Sequence, residues 1–309
     1  MTGQQRPAAL MERGVVTLRE EVMPGVWLLR LRSPRIAAIA LPGQFVHIRC
    51  ADSNDPLLRR PFSFCDLDRS RGTYDILFNV VGQGTRLLAA VEAGQVLEGL
   101  GPLGRPFSFP ERGVLMTIGG GLGIAPFPLV AREAAARGLR VVWVNGAYTK
   151  HQLFPLSRLP VEVEAQLATD DGSAGFAGFV TDLLRSKLSA VIDEGVMIHA
   201  CGPTPMLVAL AALLRDVSES RGSAPPCEMS LEAPMGCALG TCLGCVVPAT
   251  GWSQDGAAGI SDGYLRVCME GAVVDWRELD WERWPALGEL VSHRAISVRP
   301  PADALLVAS

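Results

Sequence analysis

Four of the eight cysteines carry a spacing with chemical meaning. Cys237, Cys242 and Cys245 follow a C-x4-C-x2-C pattern, and Cys268 stands after twenty-two intervening residues. Thiolates so spaced can hold a 2Fe–2S cluster in a loop whose backbone N–H groups point at the sulfurs. Glycines let that backbone approach closely, and Gly236, Gly240 and Gly244 punctuate this loop. Four cysteines are also a structural zinc set. Zinc ribbons present two matched C-x2-C knuckles, whereas here one C-x4-C and one C-x2-C precede a lone distal Cys, which favours the cluster. Cys50, Cys65, Cys201 and Cys227 are scattered.

Four further runs could handle a nucleotide. Arg60-Pro61-Phe62-Ser63 offers a guanidinium for a pyrophosphate and a hydroxyl for the edge of a flavin ring. Alone it would be an ordinary strand with a surface Arg. It precedes a Gly-x-Gly-Thr turn in which Gly84 and Thr85 could cradle phosphate at a helix start. Gly119, Gly120, Gly121 and Gly123 lie between an apolar strand and a helix, the context of a nucleotide phosphate turn. A purely structural strand-to-helix turn is the simpler alternative. Cys201-Gly202-Pro203 ends a strand, at the carboxyl edge where open α/β sheets bind ligands. Standing alone, Cys201 reads as a small core residue.

The elements that must position these groups fall into two textures. Strands at residues 15–18, 26–31, 45–48 and 74–81, broken by Pro-Gly pairs, suggest a small antiparallel β-barrel over residues 1–110. From residue 111 the pattern changes to a strand at 114–118, a helix at 131–137 and a strand at 140–145. A helix at 179–188, a strand at 196–200 and a helix at 205–217 follow. Together they predict a doubly wound parallel α/β domain over residues 111–224. Ser223-Ala224-Pro225-Pro226 reads as a linker into a small cysteine module over residues 225–275. Residues 276–309 form an extension whose Trp276, Trp281 and Trp284 have no assignment, and no internal repeat stands out.

Composition narrows the classes. Hydrophobic residues at 49% and charged residues at 19% describe a globular chain. A net charge of −4 gives no footprint for nucleic acid, and four histidines give no basis for a His-rich metal centre. Residues 114–131 are an uncharged run of eighteen, near the lower limit of a membrane span. Four glycines and two prolines within it are turn chemistry, so no span is expected. The N-terminal residues lack the apolar core of a secretory signal, and the expectation is a cytoplasmic protein without a disulfide framework.

RPFS, GxGT, GGGLGIAP and CGP, in this order, resemble the ferredoxin–NADP reductase superfamily. The run from Met235 to Val247, with that from Arg266 to Asp275, looks like the iron–sulfur flavoprotein subunit of type B dihydroorotate dehydrogenase. So do PGQFVH at 42–47, DPLLRRP at 55–61 and TDDGS at 169–173, and the similarity spans roughly residues 15–275. The resemblance implies an FAD held by Arg60, Pro61, Phe62 and Ser63, with Leu77, Phe78 and Asn79 along it and Gly84 and Thr85 at its phosphates. It implies NAD framed by Gly119, Gly120, Gly121, Gly123, Gly202 and Pro203, with Cys201 as the catalytic candidate beside the reacting rings. Cys237, Cys242, Cys245 and Cys268 would ligate the 2Fe–2S cluster. Electrons from dihydroorotate, oxidised in an FMN-containing catalytic subunit of a heterotetramer, would pass through cluster and FAD to NAD in pyrimidine biosynthesis. The alternative is an NAD(P)H-dependent flavin and iron–sulfur reductase component serving an oxygenase or a ferredoxin. A non-enzymatic nucleotide scaffold with a zinc knuckle is the third reading. No acidic residue ends the strand at 141–145, so NAD over NADP comes from the resemblance only. The stretch between Cys245 and Cys268 is long for the family, and a remodelled loop is expected on the partner side.

Overall fold

The computed structural model describes residues 9–159, 161–250 and 263–284. The first part of the chain supplies β1 (Leu10–Met23), β2 (Val26–Arg32), α1 (Pro34–Ile39), β3 (Phe45–Arg49), β4 (Arg60–Asp68), β5 (Thr73–Asn79), α2 (Gln83–Ala89) and β6 (Val96–Leu103). The six strands close into an antiparallel barrel in the order β1-β2-β5-β4-β3-β6. Alternation along the strands sends Leu29, Leu31, Phe64 and Ile76 into its core, each fully buried. Ser63 of β4 lies opposite Phe45 of β3, and Asn79 ends β5 opposite Val26. Because β4 and β5 run antiparallel, the start of one and the end of the other share one end of the barrel.

The second part supplies β7 (Val114–Gly120), α3 (Phe127–Ala136), β8 (Arg140–Ala147), β9 (Glu164–Thr169), β10 (Phe176–Ala177), α4 (Val180–Val191), β11 (Val196–Cys201), α5 (Thr204–Arg221) and β12 (Cys227–Ser230). After it come β13 (Val246–Pro248), β14 (Tyr264–Arg266) and β15 (Val273–Asp275). A seven-stranded sheet runs β10-β9-β8-β7-β11-β12-β15, parallel except for β15. Every residue of β7 is buried, as a strand covered on both faces requires. The chain leaves β7 toward β8 and returns on its other side as β11. That switch point is where such sheets form a ligand crevice.

Several expectations change in detail. Helix α3 begins at Phe127, earlier than residue 131, because Pro126 and Pro128 sit at its start, where the missing N–H costs nothing. Strands β9 and β10 are additions: Glu-Ala-Gln-Leu-Ala-Thr has weak β-propensity, and pairing with β8 decides its state. Residues 223–226 lead not into the cysteine loops but into β12, which pairs in parallel with β11. After the cysteine loops the chain comes back as β15 to pair with β12. Trp276, Trp281 and Trp284 pack into the core of the α/β layer at 5–7% exposure, and Trp281 Nε1 donates to Trp276 O at 2.7 Å. Residues 251–262, most of the long segment between Cys245 and Cys268, and the extension beyond 284 lie outside the described residues.

The pentapeptide Arg-Pro-Phe-Ser-Phe occurs twice, at 60–64 and 105–109, a short repeat that the reading of the sequence passed over. The first copy is the start of β4. The second straps the barrel to the sheet. Arg105 N donates to Gly271 O, Phe107 stacks on His199 with ring centroids 4.2 Å apart, and Ser108 binds Glu228 through N (2.8 Å) and Oγ (2.7 Å). Burial pushes His199 down to about 3, so the stacked imidazole is neutral.

Trp281→Ala should lower stability by ~3–5 kcal/mol, the range for deleting a buried aromatic. Urea unfolding reads it; a midpoint equal to wild type would mean that the tryptophans do not belong to the core.

Candidate functional site

One cavity of about 340 Å³ opens where barrel, sheet and cysteine module meet. Its barrel wall is Arg60, Pro61, Phe62 and Ser63 of β4, Leu77, Phe78 and Asn79 of β5, and Thr85 of α2. Gly84 stands behind them: a Cβ there would lie 3.2 Å from both Arg60 Nε and Cys50 Sγ, so glycine lets α2 sit against Arg60. Among the described residues Arg60 forms no ion pair. Its Nη1 donates only to the carbonyls of Leu58 and Arg59. Arg60 thus lines the cavity with its charge unpaired by any carboxylate among the described residues, as an anionic ligand needs. Thr85 Oγ1 accepts from Val81 N (2.9 Å) and Gly82 N (3.1 Å), which holds the turn before α2.

The sheet contributes Leu122, Ala125, Pro126 and Cys201 to the same cavity. The two glycine turns expected to frame a nucleotide press on each other. A Cβ on Gly123 would come within 2.3 Å of Cys201 O, and one on Gly120 within 2.5 Å of Met206 Sδ. Gly121 instead needs its backbone, with φ +54. Gly119 and Gly202 are equally crowded, by Ile124 and Met206, and Pro203 opens α5. Cys201 is buried, and burial, reinforced by the carboxyl of Glu232, pushes its thiol far up; the group is a neutral thiol.

The cysteine module closes the third side with Ser230 to Met235 and Ala272, residues that the reading of the sequence missed. Glu232 is the chemically notable one. Its exposed surface opens onto the cleft, and burial among the surrounding atoms raises its carboxyl above the usual range. No spacing in the sequence marks this single Glu, so only the folded chain reveals its place.

The four module cysteines form two pairs. Cys242 N donates to Cys237 Sγ at 3.4 Å, and Leu239 N donates to it at 3.3 Å. Cys245 Sγ and Cys268 Sγ are 3.3 Å apart and buried. Burial opposes ionisation of Cys237, but these amides and the Cys242 thiol hold it down to about 7. Cys245 is drawn down to about 6 by the Cys268 thiol while Cys268 is pushed up, so the pair gives up its first proton easily and its second with difficulty. Two pairs of thiols with amides aimed at sulfur fit a two-iron cluster. Ala238 and Leu243, each one residue after a cysteine, take left-handed φ of 56 and 57, and after Ala238 this turns the Leu239 amide onto Cys237 Sγ.

A barrel, a parallel α/β sheet and a cysteine-loop domain around a shared cavity define an oxidoreductase of the ferredoxin-reductase-like fold with an iron–sulfur domain. The family of the iron–sulfur cluster binding domain of dihydroorotate dehydrogenase B matches residues 232–280. The chain is 36% identical over 263 residues to the electron transfer subunit of dihydroorotate dehydrogenase B (NAD(+)) of Desulforamulus reducens, covering 84% of this chain and 95% of that one. The Geobacillus thermodenitrificans counterpart is 37% identical over 265 residues, covering 85% and 95%. The chain belongs to this family of dihydroorotate dehydrogenase B electron transfer subunits. Among solved structures, the NADH-dependent reduced ferredoxin–NADP oxidoreductase, described for flavin-based electron bifurcation, matches with a TM-score of 0.73 and 25% identity over 96% of this chain and 99% of that one. The ferredoxin reductase of carbazole 1,9a-dioxygenase shares the fold, with a TM-score of 0.58 and 21% identity over 71% and 68%.

Glu232 also sets a pH dependence. A carboxyl whose folded pKa is raised contributes stability that is full below its ordinary value of 4.5 and is lost as pH rises through the folded value. Glu232→Gln should therefore match wild type in acid and be the more stable of the two at mildly alkaline pH. Equal stability across that window in urea unfolding would remove the assigned environment.

Proposed function

We propose that the chain relays electrons between a partner catalytic subunit and NAD, with FAD in the cavity and a 2Fe–2S cluster on its four module cysteines. The observation that carries this reading is the shared wall: Met235 and Ala272 line the cavity, and they stand two residues before Cys237 and four after Cys268. When bound, FAD converts between the hydride of NAD and the single electrons of the cluster. The residues of the chain do the positioning. Arg60 supplies the charge for the FAD pyrophosphate, Ser63 a hydroxyl for the ring edge, and Leu77, Phe78 and Asn79 a flat strand surface. The Gly119–Gly123 and Cys201–Pro203 turns shape the nicotinamide approach, where the neutral thiol of Cys201 packs without competing as a nucleophile.

The exit for electrons is the exposed edge of the cluster loop. Cys242 is exposed, whereas Cys245 and Cys268 are buried, and Leu239 (52% exposed) and Leu243 (48%) flank it. Two exposed leucines around a solvent-facing ligand suit a protein partner. The names of the relatives, electron transfer subunits of a dihydroorotate dehydrogenase, support a dihydroorotate-oxidising catalytic subunit as that partner; in this reading the partner carries FMN and the two form a cytoplasmic heterotetramer of pyrimidine biosynthesis. None of the described helices is long and apolar enough to cross a membrane. A reductase serving ferredoxin or an oxygenase is the second reading, favoured by the full-length match to the ferredoxin–NADP oxidoreductase.

Protein purified without oxygen, with and without a candidate catalytic subunit, separates the two. The first reading expects NAD reduction by dihydroorotate only when both subunits are present; turnover by this chain alone would contradict it. Cys242→Ser should bleach the cluster and stop transfer between subunits while NADH still reduces the flavin; flavin that NADH no longer reduces would put the electron path elsewhere. Arg60→Ala should weaken FAD retention by roughly one to two orders of magnitude, the loss of one charge-assisted contact. Equilibrium dialysis reads this, and unchanged occupancy would clear Arg60 of that role.

A further inference from the structure

The electron route leaves one charged pair beside the cluster loop without a part. Arg266 ends β14 two residues before Cys268, and the next residue, Val267, donates its N–H to Cys245 O at 3.0 Å. Arg266 Nη1 donates to Gly240 O at 3.3 Å, inside the loop between Cys237 and Cys242. A Cβ on Gly240 would lie 3.1 Å from that Nη1 and 2.6 Å from Met269 Cγ, so glycine there, at φ +77, lets the guanidinium settle on the loop. The other edge of the guanidinium meets Glu270: Nε donates to Oε2 at 3.1 Å and Nη2 to Oε1, while Arg266 N donates to Oε2 at 2.8 Å. The two side chains are only 12% and 27% exposed.

The charges are thus ordered, with the cation against the cysteine loop and the anion behind it. Arg105 Nη1 also approaches this turn, donating to Glu270 O at 3.3 Å, but its charge is paired with Glu278 at 3.6 Å. Reduction of a cluster by one electron adds one negative charge, with no bond made or broken, and a partly buried neighbouring cation favours that state.

We propose that Arg266 and Glu270 set the reduction potential of the cluster, Arg266 raising it and Glu270 lowering it. The inference rests on the reading of the four cysteines as cluster ligands. A merely structural clamp is the competing role, since Met269 N and Glu270 N both donate to Arg266 O at 2.9 Å. Loosening a clamp would disturb the loop alike from either end, whereas the two charges act with opposite signs.

The test is an EPR-monitored redox titration of the holoprotein, prepared without oxygen, for wild type and for Arg266→Gln, Glu270→Gln and Arg266→Lys. Arg266→Gln should shift the oxidised-to-reduced ratio at a fixed potential about tenfold toward oxidised, ~59 mV downward for a one-electron couple. Glu270→Gln should shift it upward by a similar factor, and Arg266→Lys should stay near wild type. Shifts of the same sign, or no upward shift in Glu270→Gln, overturn the proposal. Should Arg266→Gln lose its cluster, Glu270→Gln and Arg266→Lys decide. A wild type with no iron–sulfur signal would instead sink the cluster assignment, an outcome distinct from unmoved potentials.

Discussion

The pairing of β15 with β12 is the contact on which the rest of this architecture depends. The chain leaves the nucleotide sheet at Ser230, lines the cavity from Leu231 to Met235, winds through three cysteines, and returns by Cys268 and Ala272 to rejoin the same sheet at Val273. Three ladder positions, Glu228↔Asp275, Met229↔Val274 and Ser230↔Val273, therefore fix both feet of the cysteine module. Electron transfer falls off with distance, so a module free to swing would be a poor relay. Arg105 adds a second fastening from the barrel side, through its bond to Gly271 O.

Around that junction the chain creates two contrasting environments. At the cavity, burial drives Cys201 toward its neutral form, and crowding in the cleft raises the carboxyl of the solvent-exposed Glu232. A few residues away, backbone amides and neighbouring thiols draw Cys237 and Cys245 toward thiolate. The difference is one of geometry more than of residue type: the cavity wall is apolar and closely packed, whereas the cysteine loop turns its N–H groups inward. Left-handed Ala238 and Leu243 are the local cost of that turn. Leu243 is exposed as well, which ties the strained loop to the face proposed for a partner.

Much of this was legible without coordinates. The cysteine spacing was readable because cluster ligation is local chemistry along a short loop, and the buried run of β7 with its glycine turn was readable because both faces of that strand are covered. Less was visible where long-range pairing decided the outcome. Strands β9 and β10 carry almost no intrinsic preference, β12 looked like the far side of a Pro-Pro linker, and the tryptophans after Asp275 gave no pattern until they packed as core. Arg-Pro-Phe-Ser-Phe makes the point most directly: one copy is a barrel strand at the cavity, and the other is an extended strap under His199.

By itself, then, the amino-acid order determined the class of cofactor chemistry and the barrel-then-sheet succession, because each depends on neighbours close in the chain. Only the tertiary structure decided that barrel, glycine turns and cysteine module share one cavity, that Glu232 stands in it, and that Arg266 rests on the cysteine loop with Glu270 behind. Apart from the four-residue step from Arg266 to Glu270, those are contacts between segments separated by tens to hundreds of residues. Register and closure of the sheets set them, and no local spacing encodes them.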